Sequence, residues 1–241
     1  MNKQQLLELL KAEGFSDDIL NAFENVRRED FISEELKKYA YENEPLPIGE
    51  GATISQPYTI AFMLELLELD RIKLLTNNKN ISSFQNKMRD NESKIWKSNL
   101  QEELGEQEQG DNKIKVLEIG SGSGYVLALI NELFALQKID ADIYGVEINK
   151  ELVQKSKLIL REFKNIEIIN SDGKIGLKEH SPFDRILVSA AFDEMPTWLF
   201  GQLNDNGILV VPVKNSIFQI KKINGEIFKK EFEGFVFVGM R

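Results

Sequence analysis

The sequence predicts an α/β fold: a doubly wound, mostly parallel seven-stranded sheet with an antiparallel edge, preceded by an N-terminal helical segment. Three observations predict it. From Lys113 onward, short apolar runs alternate with helical segments, the pattern of parallel strands covered on both faces. One of those runs, Ile114–Ile119, passes directly into a Gly-rich turn and then a helix. Near the end, Asn224-Gly225 lies between Phe218-Gln219-Ile220 and Ile227-Phe228, which signals a tight hairpin and hence antiparallel strands at one edge.

Taken in order, residues 1–69 read as short helices followed by a loop and one more helix. Leu6, Leu7, Leu9 and Leu10 sit at helical spacing until Gly14 breaks the run. Ser16 is a good N-cap, with Asp17 and Asp18 at the positive helix end, and Ser33 can cap a third helix through Ala40. Glu44 to Gly51 contains Pro45, Pro47 and two glycines, so it is expected to be a loop. Ile60, Met63, Leu64 and Leu67 then make an apolar helix face. Residues 70–112 change character. Polar residues dominate without periodicity, so a flexible insertion is expected, with Ile95, Trp96 and Leu100 hinting at a short helix. Residues 113–241 form the α/β domain. Its candidate strands are Ile114–Ile119, Asp142–Glu147, Ile166–Asn170, Arg185–Ser189 and Ile208–Val213, and its clearest helices are Tyr125–Leu136 and Lys150–Phe163.

Composition narrows the function. The 241 residues are 42% hydrophobic, enough for one sizeable core. A net charge of −9 lowers the prospect of nucleic-acid binding, which needs clustered Lys and Arg. With no cysteine, thiolate nucleophiles and Cys-ligated metals are excluded. No apolar signal core follows Met1, and no run approaches the roughly 20 apolar residues of a membrane span, so a cytoplasmic protein without a membrane partner is expected. No metal-ligand cluster is apparent, and the lone His180 reads as an exposed loop residue.

The chemistry centres on Val116-Leu117-Glu118-Ile119-Gly120-Ser121-Gly122-Ser123-Gly124-Tyr125. Glycines let backbone approach a ligand, and the helix start offers free N–H donors. The unit is Rossmann-like, but the G-x-G-x-x-G dinucleotide fingerprint fails: from Gly120 its last glycine falls on Tyr125, and from Gly122 on Leu127. What is present, acidic-x-G-x-G-x-G, resembles motif I of class I methyltransferases. The resemblance implies that Gly120, Ser121, Gly122, Ser123 and Gly124 wrap the amino-acid end of S-adenosylmethionine, with Glu118 beneath the methionine ammonium. Glu147, followed by Ile148, ends the next strand, where a carboxylate can accept the ribose hydroxyls. Asp172 and Gly173, in Asn170-Ser171-Asp172-Gly173, form an Asx turn and, as the family resemblance implies, meet the adenine.

The acceptor is suggested elsewhere. After strand four, Val188-Ser189-Ala190-Ala191-Phe192 lacks the Asn/Asp-Pro-Pro-aromatic motif carried by amino-methylating enzymes. Pro45-Leu46-Pro47-Ile48-Gly49-Glu50-Gly51-Ala52-Thr53-Ile54-Ser55-Gln56-Pro57-Tyr58 resembles the signature loop of protein-L-isoaspartate O-methyltransferases. Arg28-Glu29-Asp30-Phe31, Ser171-Asp172-Gly173, Phe183-Asp184-Arg185-Ile186 and Val210-Val211-Pro212-Val213 resemble that family too. The resemblance spans nearly the whole chain outside 71–112. It implies a methyl transfer to the free carboxylate of L-isoaspartyl residues in damaged proteins and peptides, which begins repair through a succinimide. It also implies Ser55 as the catalytic residue beside the acceptor, with Thr53, Ile54, Gln56, Ser189, Ala190 and Val213 lining the substrate cleft. On spacing alone Ser55 is instead an N-cap for the helix starting near Pro57. Phe192 departs from the family pattern and places a bulky aromatic near the expected cleft. A monomer is expected. Two alternatives stand beside this reading: the same scaffold acting on another carboxylate, in a peptide natural product or a small molecule, and a catalytically silent cofactor-binding protein.

Overall fold

A computed structural model of the chain describes residues 1–69, 113–237 and 239–240. The polar segment 70–112, with the short helix expected around Trp96, lies outside the described residues. The chain divides into two units, Met1–Glu68 with Ile114–Arg241, and Leu69–Lys113. The first unit carries the helices and strands described below.

Helix α1 (Lys3–Ala12) starts at a reciprocal capping box: Gln5 N–H donates to the Asn2 side chain and Asn2 N–H to the Gln5 side chain. It buries Leu6 and Leu10. Helix α2 (Asp17–Asn25) begins after Ser16 as expected, but the Ser16 hydroxyl does not cap it; it donates to Glu65 Oε2 at 2.9 Å. Ser33 does precede a helical turn, Glu34–Tyr39, but that turn is 3-10 and buries none of its side chains. A segment with no face to bury gains little from a full α-helix.

The stretch 44–51 is not helical, yet it is more than a loop. β1 (Leu46–Gly49) and β2 (Ala52–Ile54) pair antiparallel as a two-stranded ribbon. Pro47 is tolerated there because an edge position needs no N–H. Helix α3 (Pro57–Leu66) has proline in its first turn and Gln56, not Ser55, at its N-cap. Ile60, Met63, Leu64 and Leu67 are all buried, as their spacing predicts.

The sheet contains β3 (Ile114–Ile119), β4 (Ala141–Glu147), β5 (Ile166–Asn170), β6 (Phe183–Val188), β7 (Leu203–Val213), β8 (Ser216–Ile223) and β9 (Glu226–Glu233), in the order β5-β4-β3-β6-β7-β8-β9. Strands β3 to β7 pair in parallel, and β8 and β9 add antiparallel. Asn224 and Gly225 both take positive φ in the last turn, the geometry that joins two twisted strands through two residues. Leu117, Ile119, Ile186, Val188, Leu209 and Val211 form the centre of the core.

Helix α4 (Tyr125–Gln137) follows β3, and α5 (Lys150–Ile159) follows β4. Helix α5 stops short of the expected Phe163. Leu160 is its last buried position and Arg161 to Lys164 are exposed, so nothing apolar sustains another turn. Strand order reverses between β4 and β6 on either side of β3. In such a sheet the crevice for a ligand lies beyond the carboxyl ends of those strands. No helix among the described residues is long and apolar enough to cross a membrane.

Candidate active site

The glycine loop leaves β3 by bonding to its neighbour strand. Gly120 N–H and Ser121 N–H both donate to Val146 O, at 2.8 and 3.1 Å, and Gly124 N–H turns back to Ser121 O at 2.8 Å. Gly122 has φ +51, and a Cβ there would lie 3.0 Å from Ile48 Cδ1. The positive φ favours glycine at that point, and the Ile48 methyl lying against it leaves little room for a side chain. Gly124 is the N-cap of α4, and Ser121 and Ser123 are buried within the turn.

Two carboxylates stand beneath this loop. Glu147, at the end of β4, accepts from Gly122 N–H at 3.0 Å through Oε2 and from Asn149 N–H at 2.8 Å through Oε1. Asn149 caps α5 with its carbonyl oxygen and donates its amide to Glu50 Oε2 at 3.2 Å. Glu118, inside β3, is 1% exposed. Its Oε1 accepts from the Ser189 hydroxyl at 2.7 Å, and its Oε2 has no partner among the described residues. Burial pushes the Glu118 carboxyl up to about 8; the Ser189 bond opposes that rise and the Glu147 charge adds to it.

Beyond the strand ends lies a cavity of about 820 Å³. Of the residues singled out in the sequence, Thr53, Ser55, Gln56, Gly120, Gly122, Glu147, Ile148, Gly173, Ser189 and Ala190 line it. Others stand behind. Glu118 reaches the cavity's edge through Ser189. Ser121, Ser123 and Gly124 lie within the loop, and Ile54 is buried at 4% exposure and does not line the cavity. Asp172 is exposed, and its Oδ1 accepts from Lys174 N–H at 2.9 Å. Val213 is not on the wall; it forms a bridge with Phe192.

Two expectations are corrected. Phe192 does not enter the cleft: its ring packs edge-on against Trp198, with centroids 6.1 Å apart, and its N–H and carbonyl are taken up by Pro212 O and Lys214 N–H. His180 is half-buried, its ring 4.5 Å from that of Tyr144, and so is not an exposed loop residue.

The segment after β9 is a part of the site that the sequence pattern did not bring out. Gly234, Phe235, Val236, Phe237, Gly239 and Met240 all line the cavity. Gly234 and Phe235 N–H donate to Asn215 O, and Met240 N–H to Ala191 O at 2.7 Å. The Phe235 ring stacks on Phe62 at 5.0 Å. A signal for it exists in the residues: a Gly followed by an apolar run, past the last strand of the hairpin.

Comparison with known proteins agrees with this architecture. A family model described as protein-L-isoaspartate(D-aspartate) O-methyltransferase matches residues 1–76 and 100–241. The chain is 36% identical over 246 residues to a protein-L-isoaspartate O-methyltransferase of Dictyoglomus thermophilum, covering 99% of this chain and 90% of the relative. It is 38% identical over 238 residues to that of Petrotoga mobilis, with 95% and 90% covered. Among solved structures, a Plasmodium falciparum beta-aspartate methyltransferase (PCMT) in complex with S-adenosyl-L-homocysteine superposes with a TM-score of 0.71 at 26% identity, covering 100% of this chain and 99% of the other. With the seven-stranded sheet, the glycine loop over two carboxylates and a family match through both ends of the chain, the chain belongs to the protein-L-isoaspartate(D-aspartate) O-methyltransferase family.

Proposed function

We propose that the chain transfers a methyl group from S-adenosylmethionine to the free carboxylate of L-isoaspartyl residues in proteins and peptides, which starts their return to aspartate through a succinimide. One observation carries the reading. Glu147 lines a cleft that Ser55 also lines, and on the neighbouring strand, behind Ser189, stands the buried Glu118, one of whose oxygens has no partner among the described residues.

These residues fit the cofactor. A buried acceptor without a partner is rare, and a cationic ammonium, direct or through one water, would satisfy Glu118 Oε2. Each Glu147 oxygen holds one backbone N–H and keeps a lone pair for a ribose hydroxyl. Gly173 at the cavity edge, with Asp172 beside it, would receive the adenine. When bound, S-adenosylmethionine supplies a sulfonium methyl that is electrophilic without further activation.

The chain's own residues then have a limited task. An isoaspartyl carboxylate, with an ordinary pKa of about 4, is already ionised at neutral pH, so no general base is needed. Ser55 can donate a hydrogen bond to that carboxylate and hold it in line. Thr53 and Gln56 flank Ser55 along the wall, and Ser189 and Ala190 close the strand-end side. Phe235 and Phe237 make part of the wall apolar, which keeps water from a step in which opposite charges neutralise. Damaged sites occur in many sequences, so recognition through an extended peptide backbone suits the substrate.

The test is methyl transfer from labelled S-adenosylmethionine to two peptides that differ only in isoaspartate or aspartate at one position. Transfer to the isoaspartyl peptide alone is expected. Transfer to neither, with cofactor binding intact, would move the assignment to another carboxylate; cofactor binding with no turnover on any carboxylate would leave a silent binding protein.

A further inference from the structure

The β1–β2 hairpin that leads into Ser55 has a buried arginine at its base. Arg28 is 0% exposed. Its Nη1 donates to Glu42 O at 3.2 Å, and its Nη2 to Glu44 O at 3.0 Å and to Ser55 O at 3.1 Å. The first two carbonyls precede the hairpin and the third follows it, so one guanidinium joins the entering and leaving chains. All its described hydrogen bonds go to backbone carbonyls, and its Nε has no partner among the described residues. Burial lowers its pKa to about 10, which still leaves it charged at neutral pH.

We propose that Arg28 is a positioning residue for methyl transfer, its guanidinium tying the base of the β1–β2 hairpin and so holding Ser55 in the cleft wall. The proposal rests on the acceptor-binding role of Ser55 in isoaspartyl methylation.

A buried charge whose described hydrogen bonds all go to carbonyls, with the Tyr125 and Tyr41 hydroxyls as its other polar neighbours, is an expensive way to gain stability, since desolvation opposes it and apolar replacements of buried ions often fold as well. What a guanidinium offers over an apolar side chain is direction: five N–H donors in a rigid fork that can bind several carbonyls at once. The hairpin has a position to be held in. Ile48 lies against Gly122, and the Glu50 carboxylate at the tip accepts from Asn149, the residue whose N–H binds Glu147. The Glu50 contact is exposed, and exposed contacts of this kind constrain weakly. The buried tie is at the base. A second tie there, Tyr58 N–H to Asn43 Oδ1 at 3.0 Å, closes the same loop from the α3 side. Loss of Arg28 therefore loosens the hairpin without detaching it.

The experiment compares Arg28→Lys and Arg28→Gln with the parent protein, alone and combined with Ser55→Ala. Lysine keeps the charge but presents its donors from one point, while glutamine removes the buried charge and keeps one amide, which protects folding. The readouts are kcat and KM on an isoaspartyl peptide, the Kd of S-adenosylhomocysteine, and amide hydrogen exchange over 46–55. Expected are a fall in kcat of roughly 10- to 100-fold, the cost of misplacing a positioned group by about an ångström, a Kd that moves less than about twofold, and faster exchange confined to the hairpin. In the Ser55→Ala background the Arg28→Lys effect should shrink to about threefold or less, because residues acting as one unit are not additive. Full multiplication of the two effects, parallel loss of cofactor affinity, or a folded Arg28→Gln protein with parental kcat would each overturn the proposal. An inactive parent protein would instead strike the isoaspartyl reading. Hydrogen exchange needs no turnover, and unchanged exchange in the hairpin would then overturn the tie by itself.

Discussion

Ser189, the residue after β6, donates a 2.7 Å hydrogen bond to Glu118 in the adjacent strand β3, and that bond is the only one the buried carboxyl makes among the described residues. The half-satisfied state has consequences for pH, for stability and for ligand binding.

Burial raises the Glu118 carboxyl to about 8 from an ordinary 4.5. A raised acid favours the folded protein while it is protonated. Its contribution is full below the unfolded value of about 4.5 and is lost as pH rises through about 8. We expect the ligand-free protein to lose stability across that window and Glu118→Gln to flatten the loss, read from thermal unfolding at several pH values. The same substitution should abolish tight cofactor binding. In the parent protein binding should release about one proton at pH 7, so calorimetric enthalpies will differ between buffers of different ionisation heat. Buffer-independent enthalpies would rule out a protonated Glu118.

Ser55→Ala should lower kcat/KM for isoaspartyl peptides by about tenfold or more, about 1.4 kcal/mol of transition-state stabilisation. Cofactor affinity should stay within about twofold, because the proposed function gives Ser55 the acceptor and not the cofactor. Equal losses in both would show that the serine supports the whole loop and not the acceptor.

Glu147→Gln should behave differently from Ser55→Ala. It weakens two backbone hydrogen bonds, from Gly122 and Asn149, and so acts on the loop as well as on the proposed ribose contact. A loss of about tenfold in cofactor affinity is expected, together with faster amide exchange at Gly122. Weakened affinity with unchanged exchange would confine the residue to ligand contact.

Phe235→Ser removes an aromatic stack with Phe62 and part of the apolar wall, worth about 1 kcal/mol. The peptide KM should rise several-fold with the cofactor Kd unmoved. A change in cofactor Kd alone would place the tail on the other side of the cleft.

Much of this architecture is legible in the residues. Ile114–Ile119 and Ile166–Asn170 match their strands end to end, since each is a short apolar run bounded by turn residues. The strand, Gly-rich turn and helix at Ile114 to Leu136 locate the loop, and its resemblance to motif I then singles out Glu147 at the end of the next strand. Three kinds of feature are hidden. The ribbon at Leu46–Ile54 is masked by its prolines, which mark loops in general but are tolerated at an edge. The longer start of β7, at Leu203, lies in a polar stretch, Asn204 to Asn206, where pairing to Phe183 and not apolar pattern sets the register. Long-range partnerships such as Arg28 with Ser55, or the tail with Ala191, leave no trace in local spacing.

The tail's attachment bears on how acceptor preference can change over evolutionary time. Gly234, Phe235 and Met240 are moored by backbone N–H groups to the carbonyls of Asn215 and Ala191, bonds that do not depend on which side chains the tail carries. The glycine loop has less freedom: Gly122 takes a positive φ against Ile48, and Glu118 and Glu147 are hydrogen-bonded to Ser189, Gly122 and Asn149. On the proposed function, the tail can thus accumulate substitutions that reshape which peptides enter, while the residues around the glycine loop keep the methyl donor in place. A single scaffold can diversify its clientele without re-engineering its chemistry.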